Sequence, residues 1–372
     1  MKTVLVYIDF WEKDLLNPEK NADRRADCLL PWLYLKDYCK ENNVILEAAS
    51  KIPFEKSNRK KYLYYSFGQM DGYQRIKARK DIIFGSFYLF EPPIKVLPKP
   101  HDIYYHLNEI KSYFNRIYTT SPIDSINKSY GLGYKFNSYL FFYPQSHSSI
   151  IENLWNNRDR KTLVMVNSYR YSRFKLYEYY SERIKALNYF LYNNSIDLFG
   201  YDWHKISRNI VRNSITSILW AIKNQSLARL KDIYNSRNIR EQLKAIGYSM
   251  DKYSTLSNYR YAICYESMGI DGFITEKIFD CFFSGTIPIY LGAPDIYNYV
   301  PKNTFIDKRL FKNYKELGKY LDGLDESQYN FYRQNIRDFI SSKAFSPFKK
   351  ESFAERFLKD VIEDSKMLEA VV

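Results

Sequence analysis

One stretch constrains this chain more than any other: residues 258–292, NYRYAICYESMGIDGFITEKIFDCFFSGTIPIYLG. It reads as strand, loop, helix, strand. Residues 261–265 (YAICY) form a short apolar, β-branched and aromatic run, too short for a helix. Gly269 and Gly272 break the pattern and suit a loop that something approaches closely. Thr275 is a good N-cap, and Ile278, Phe279, Phe282 and Phe283 recur at helical spacing on one face. Gly285 ends that helix, and Ile287–Leu291 supplies a second buried strand. A right-handed crossover places Glu266 and the following loop at the carboxyl edge of a parallel sheet, where open α/β sheets bind ligands.

The first helical turn carries Glu276 and Lys277. Free N–H groups and the positive end of the helix dipole favour an anion there, and a lysine adds a mobile charge suited to phosphate. Spacing alone favours ordinary solvated helix-start residues. The combination is more specific. ESMGIDGFITEK followed by IFDCFFSGTIPIYLGAP resembles the donor-site signature of the family-10 glycosyltransferases, the α-1,3/1,4-fucosyltransferases. Glu266, Thr275, Glu276, Lys277, Pro288 and Gly292 stand where that family has them, whereas Ser267 replaces the usual Asn and Phe273 the usual Tyr.

Length and composition leave room for this. A chain of 372 residues accommodates two domains, and 45% hydrophobic with 26% charged residues is close to globular averages. The net charge of +14 points to anionic partners (nucleotide diphosphates, nucleic acid or an anionic membrane) without choosing among them. The 37 Tyr and 25 Phe allow aromatic surfaces that stack on sugars or bases. Cys28, Cys39, Cys264 and Cys281 show no framework spacing and read as reduced and mostly buried. The four histidines form no metal motif, so no metal is expected. The N-terminus opens directly on a strand with no signal pattern, and no apolar run of membrane-spanning length occurs, so a cytoplasmic location is expected.

In chain order, residues 3–8 read as a first strand, Leu29–Tyr38 as a helix, Val44–Leu46 and Tyr62–Tyr65 as strands. DIIFGSFYLFEPP (81–93) is an apolar run ending in Glu91 beside two prolines. By itself that Glu is a turn or capping residue or a general base. The polar segment 145–160 suits a domain boundary, and Thr162–Val166 a strand with Asn167 at its end. Arg170, Arg173 and Lys175 form a basic loop before a helix at 177–192 that bears Arg183. Residues 205–240 read as an amphipathic helical insertion with basic outer faces, either packed on the domain or laid on an anionic membrane surface.

The resemblance implies a fold and a chemistry. The fold class expected is α/β, in the glycosyltransferase-B arrangement of two Rossmann-like domains facing across a cleft. Residues 1–150 would form the acceptor side, 151–345 the nucleotide-sugar side, and 346–372 a helix that packs back on the first domain. The function implied is inverting transfer of fucose from GDP-fucose to a hydroxyl of an oligosaccharide, with no further cofactor. Glu91 would be the base and Glu276 a second catalytic carboxylate. Lys277, Glu266, Ser267, Phe273, Thr275, Arg173, Arg183 and Asn167 would contact the donor. Two alternatives remain: the same fold with another GDP-sugar, or a basic, aromatic-rich nucleic-acid-binding protein.

Overall fold

The structure is a computed structural model that describes residues 3–9, 29–56, 60–68, 70–90, 103–170, 178–193, 195–203 and 251–369. The first half of the chain builds a sheet of six strands: β1 (Val4–Asp9), β2 (Val44–Ala48), β3 (Tyr62–Ser66), β4 (Ile82–Leu89), β5 (Arg116–Thr119) and β6 (Tyr139–Leu140). Their order is β2-β1-β3-β4-β5-β6, and each neighbouring pair is parallel. Strands β3 and β4 are buried along their whole length. That is why they read as unbroken apolar runs rather than alternating ones, because a parallel sheet is covered on both faces.

The second sheet has five strands: β7 (Lys161–Val166), β8 (Asp197–Phe199), β9 (Tyr259–Tyr265), β10 (Ile287–Leu291) and β11 (Ile306–Asp307). Its order is β11-β10-β9-β7-β8, again parallel throughout. The helix Glu276–Phe283 joins β9 to β10 and buries Ile278, Phe279, Phe282 and Phe283. The helix expected over 177–192 is described over Tyr180–Tyr192. Just before it, the Glu178 carboxylate accepts from the N–H and hydroxyl of Ser181 and so marks its start.

Two features tie the halves together. The last helix, Lys350–Glu369, lies on the N-terminal sheet, where Phe353, Phe357 and Val361 share a core with Val6, Leu63 and Tyr65. Its acids are matched to that sheet. Arg116 pairs with Asp364 at 2.9 Å and Glu363 at 2.7 Å, and Ser86 donates to Asp360 at 2.8 Å. The second tie is the loop after β9, described below. Among the described residues no helix is long and apolar enough to cross a membrane.

Candidate functional site

In the C-terminal sheet the chain leaves β7 towards β8 on one side, while β9 pairs with β7 on the other. Such a reversal opens a crevice at the carboxyl ends of the two strands concerned. Asn167 follows β7 there, and Glu266 follows β9. Glu266 is fully buried. Its carboxylate accepts from the Thr275 N–H at 2.9 Å and from the Thr275 hydroxyl at 2.9 and 2.8 Å. Lys277 Nζ stands 3.3 Å from the same carboxylate and donates to Thr275 Oγ1 at 2.9 Å. Thr275 is also the helix N-cap, accepting from the Lys277 N–H. One threonine thus clamps the end of β9 to the start of the next helix.

Charge is concentrated on this clamp. Burial alone would lower the Lys277 ammonium pKa, but the carboxylates of Glu266 and Glu276 hold it above its ordinary value. Burial would raise Glu276, yet Lys277, Lys252 and the helix N–H groups bring it down to about 2. With 47% of its side chain open, Glu276 is reachable from solvent. Arg183 is only 5% exposed, and burial lowers its pKa, with Glu266 and Glu276 opposing that shift. Its Nη2 donates to the Tyr265 carbonyl at 2.6 Å, while its Nε is buried with no hydrogen-bond partner among the described residues. A buried guanidinium with an unused donor, beside a lysine at a helix N-terminus, is built to accept an anion.

The loop between β9 and the helix does something spacing did not show. Met268, Ile270 and Phe273 enter the hydrophobic core of the N-terminal sheet rather than that of their own. Phe273 meets Tyr143 edge-on at 6.2 Å, and Tyr143 in turn donates to the Phe90 carbonyl at the end of β4. Ser125 donates to Asp271 at 2.9 Å. Gly272, at φ +74°, lies so near the Thr120 carbonyl that a Cβ there would be 2.7 Å from it.

Glu266 and Phe273 are both enclosed: Glu266 is bonded to Thr275 and paired with Lys277, and Phe273 packs in the N-terminal core. Ser267 is buried, and its carbonyl accepts from the Tyr179 N–H. Asn167 is partly open, its N–H donating to the Phe199 carbonyl and its own carbonyl accepting from Trp203 Nε1. Lys277, Glu276, Thr275 and Arg183 come together. Glu91, Arg173 and the segment 205–240 lie outside the described residues. Sequence reasoning assigned no role to the buried pair Lys252–Asp280, nor to Asp295, which accepts from the Gly272 N–H. Their only signal was charge inside apolar surroundings. Among the described residues no group of His, Cys, Asp and Glu could hold a metal ion.

The fold is of the glycosyltransferase-B kind, two parallel-sheet units. Residues 232–354 match the sequence model for glycosyltransferase family 10 (fucosyltransferase), C-terminal part. The chain is 31% identical to the α-(1,3)-fucosyltransferase FucT of Helicobacter pylori over 125 residues, 32% of this chain and 26% of that protein. It is 37% identical to α-(1,3)-fucosyltransferase B of Drosophila melanogaster over 102 residues, 26% of this chain and 23% of that one. It thus spans about a quarter of the length of these relatives. In fold it is similar to Anabaena HepE solved with UDP-glucose, with a TM-score of 0.55 and 8% identity, covering 96% of this chain and 99% of that one.

Proposed function

We propose that this chain is an inverting glycosyltransferase that moves fucose from GDP-fucose to a hydroxyl of an oligosaccharide acceptor. In this reading the chain divides near residue 150, works in the cytoplasm and needs no cofactor. The observation that carries it is the anion pocket: Arg183 with its unused buried Nε, Lys277, and the first turn of the helix Glu276–Phe283. A diphosphate suits these cations chemically, and the family-10 model match that spans Lys277 favours a GDP-sugar.

The step is a single displacement. A lone pair of the acceptor oxygen forms the new bond to the anomeric carbon as the bond to the β-phosphate oxygen breaks. The electron pair leaves on GDP, and the hydroxyl proton passes to Glu91. Negative charge grows on the diphosphate, so fixed cations stabilise the transition state more than the ground state. Lys277, Arg183 and Arg173 supply that charge. Glu276, held ionised, accepts from sugar hydroxyls and offsets positive charge on the ring. Asn167 and Ser267 border the donor at the two strand ends. The serine at 267, at the end of β9, favours, as a second reading, a different GDP-linked sugar.

The test is a donor screen by mass spectrometry, with GDP- and UDP-sugars offered alongside lactosamine-type acceptors. GDP should stabilise the protein saturably against heat, and single-stranded DNA should not. Lys277→Ala is expected to raise the donor KM and cut kcat by about a hundredfold or more. Glu91→Ala should remove kcat while leaving GDP affinity intact. Near-normal turnover by the Glu91 variant would dismiss it as the base.

A further inference from the structure

The helix that begins at Glu276 carries a second acid, Asp280, one turn further along the same face. Asp280 is buried and forms an ion pair with Lys252, itself buried at the start of the helix Lys252–Ser257. Apolar side chains of similar size would fill that space at least as stably, so a buried pair here calls for another reason. Its location supplies one. Among the described residues, Lys277 from its own helix and Lys252 from the preceding helix act on Glu276, Glu276 acts on Arg183 from the helix Tyr180–Tyr192, and Glu266, from the end of β9, acts on Lys277 and Arg183. Lys277 and Arg183 are the cations that a diphosphate would engage. When they turn to it, Glu276 loses its main partner and gains a negative neighbour, and both changes favour its protonation. Lys252, tied down by Asp280, is the cation that cannot follow the phosphate.

We propose that Lys252 is a positioning residue, held by Asp280 one turn beneath Glu276, that keeps the Glu276 carboxylate ionised while the donor is bound. This rests on the GDP-sugar reading above and adds to it a fixed reserve charge.

The experiment compares GDP and GDP-fucose affinities by calorimetry, using the full chain, from about pH 8 to about pH 5. The ratio of the two isolates the contacts made to the sugar. In the wild type this preference should change less than about twofold over the range. Lys252→Met combined with Asp280→Asn removes both charges of the pair together. This double variant should match the wild type at the alkaline end and lose about tenfold in preference at the acid end, approaching Glu276→Gln. Lys252→Arg keeps the cation and should stay flat. A double variant as flat as the wild type overturns the proposal. So does a Lys252→Arg variant that titrates like the double variant, since that assigns the effect to packing. If Glu276→Gln leaves the preference unchanged, Glu276 does not touch the sugar and the proposal falls. Failure of the wild type to bind GDP would instead sink the donor reading, and this inference with it.

Discussion

Glu276 and Asp9 are both acids at the carboxyl edge of a parallel sheet, and their surroundings push them opposite ways. At Glu276 the cations win and hold the carboxyl down to about 2. At Asp9 burial wins and the pKa rises to about 7, although Tyr64, Ser66 and the Phe67 N–H all donate to the carboxylate. The unfolded chain titrates this acid near about 4. Between those values the folded state binds more protons than the unfolded one, so stability falls as pH rises through that window and the loss is complete above the folded pKa. Asp9→Asn removes the titration. Urea unfolding at about pH 5 and about pH 8 should show a stability slope in the wild type of up to a few kcal/mol, flattened in the variant. An equal slope in both would place the titration elsewhere. Sequence made the adjacent Glu276 and Lys277 legible as a charged helix start. Whether burial or neighbouring charge governs an acid is decided by residues distant in the chain, such as Lys252 or Tyr64, and spacing does not carry that.

At the scale of elements, what the chain spelled out locally was recovered. Ile287–Leu291 is a strand with the expected bounds, and Thr275 caps a helix that ends before Gly285 at φ +69°. The helices Met70–Ile76, Leu107–Tyr113 and Ile123–Tyr130 were not recovered. Each is two turns long, and such a helix is held by packing rather than propensity. In the last of them Ile123, Ile126 and Tyr130 are buried at helical spacing, a period that spans only two turns of chain. Thr275 carries this scale's prediction. Its hydroxyl caps the helix and, with its N–H, satisfies a carboxylate that has no access to water. Thr275→Val keeps the shape, loses the cap and strips Glu266 of its hydroxyl bonds. The expected destabilisation is about 2–4 kcal/mol by denaturant unfolding. Thr275→Ser restores the hydroxyl and should recover most of it. A valine variant as stable as the wild type would mean that the clamp does not hold β9 to the helix.

For the whole molecule, the loop that carries the donor signature is also the wedge between the halves. Met268, Ile270 and Phe273 sit in the N-terminal core, while Lys277 and Arg183 remain on C-terminal elements. On the proposed reading, binding of the nucleotide and alignment of the two sheets are therefore separable. Gly272 is the point of contact. A side chain there must adopt a left-handed backbone at φ +74° and would also place its Cβ 2.7 Å from the Thr120 carbonyl, a backbone atom that cannot swing aside. Gly131 provides the comparison, since it has φ +66° and nothing within 4 Å of an added Cβ. Both alanine variants bear the left-handed strain of about 1–2 kcal/mol, but only Gly272→Ala forces the loop off Thr120, just past β5. Gly272→Ala is expected to lower turnover at least about tenfold while GDP affinity stays within about threefold, because a displacement of about 1 Å between reacting groups suffices for such a loss. Gly131→Ala should keep its turnover. Equal loss of GDP affinity and turnover in Gly272→Ala would show that the wedge shapes the anion pocket itself. Unchanged turnover would show that the contact between β5 and the donor loop does not set the geometry of transfer.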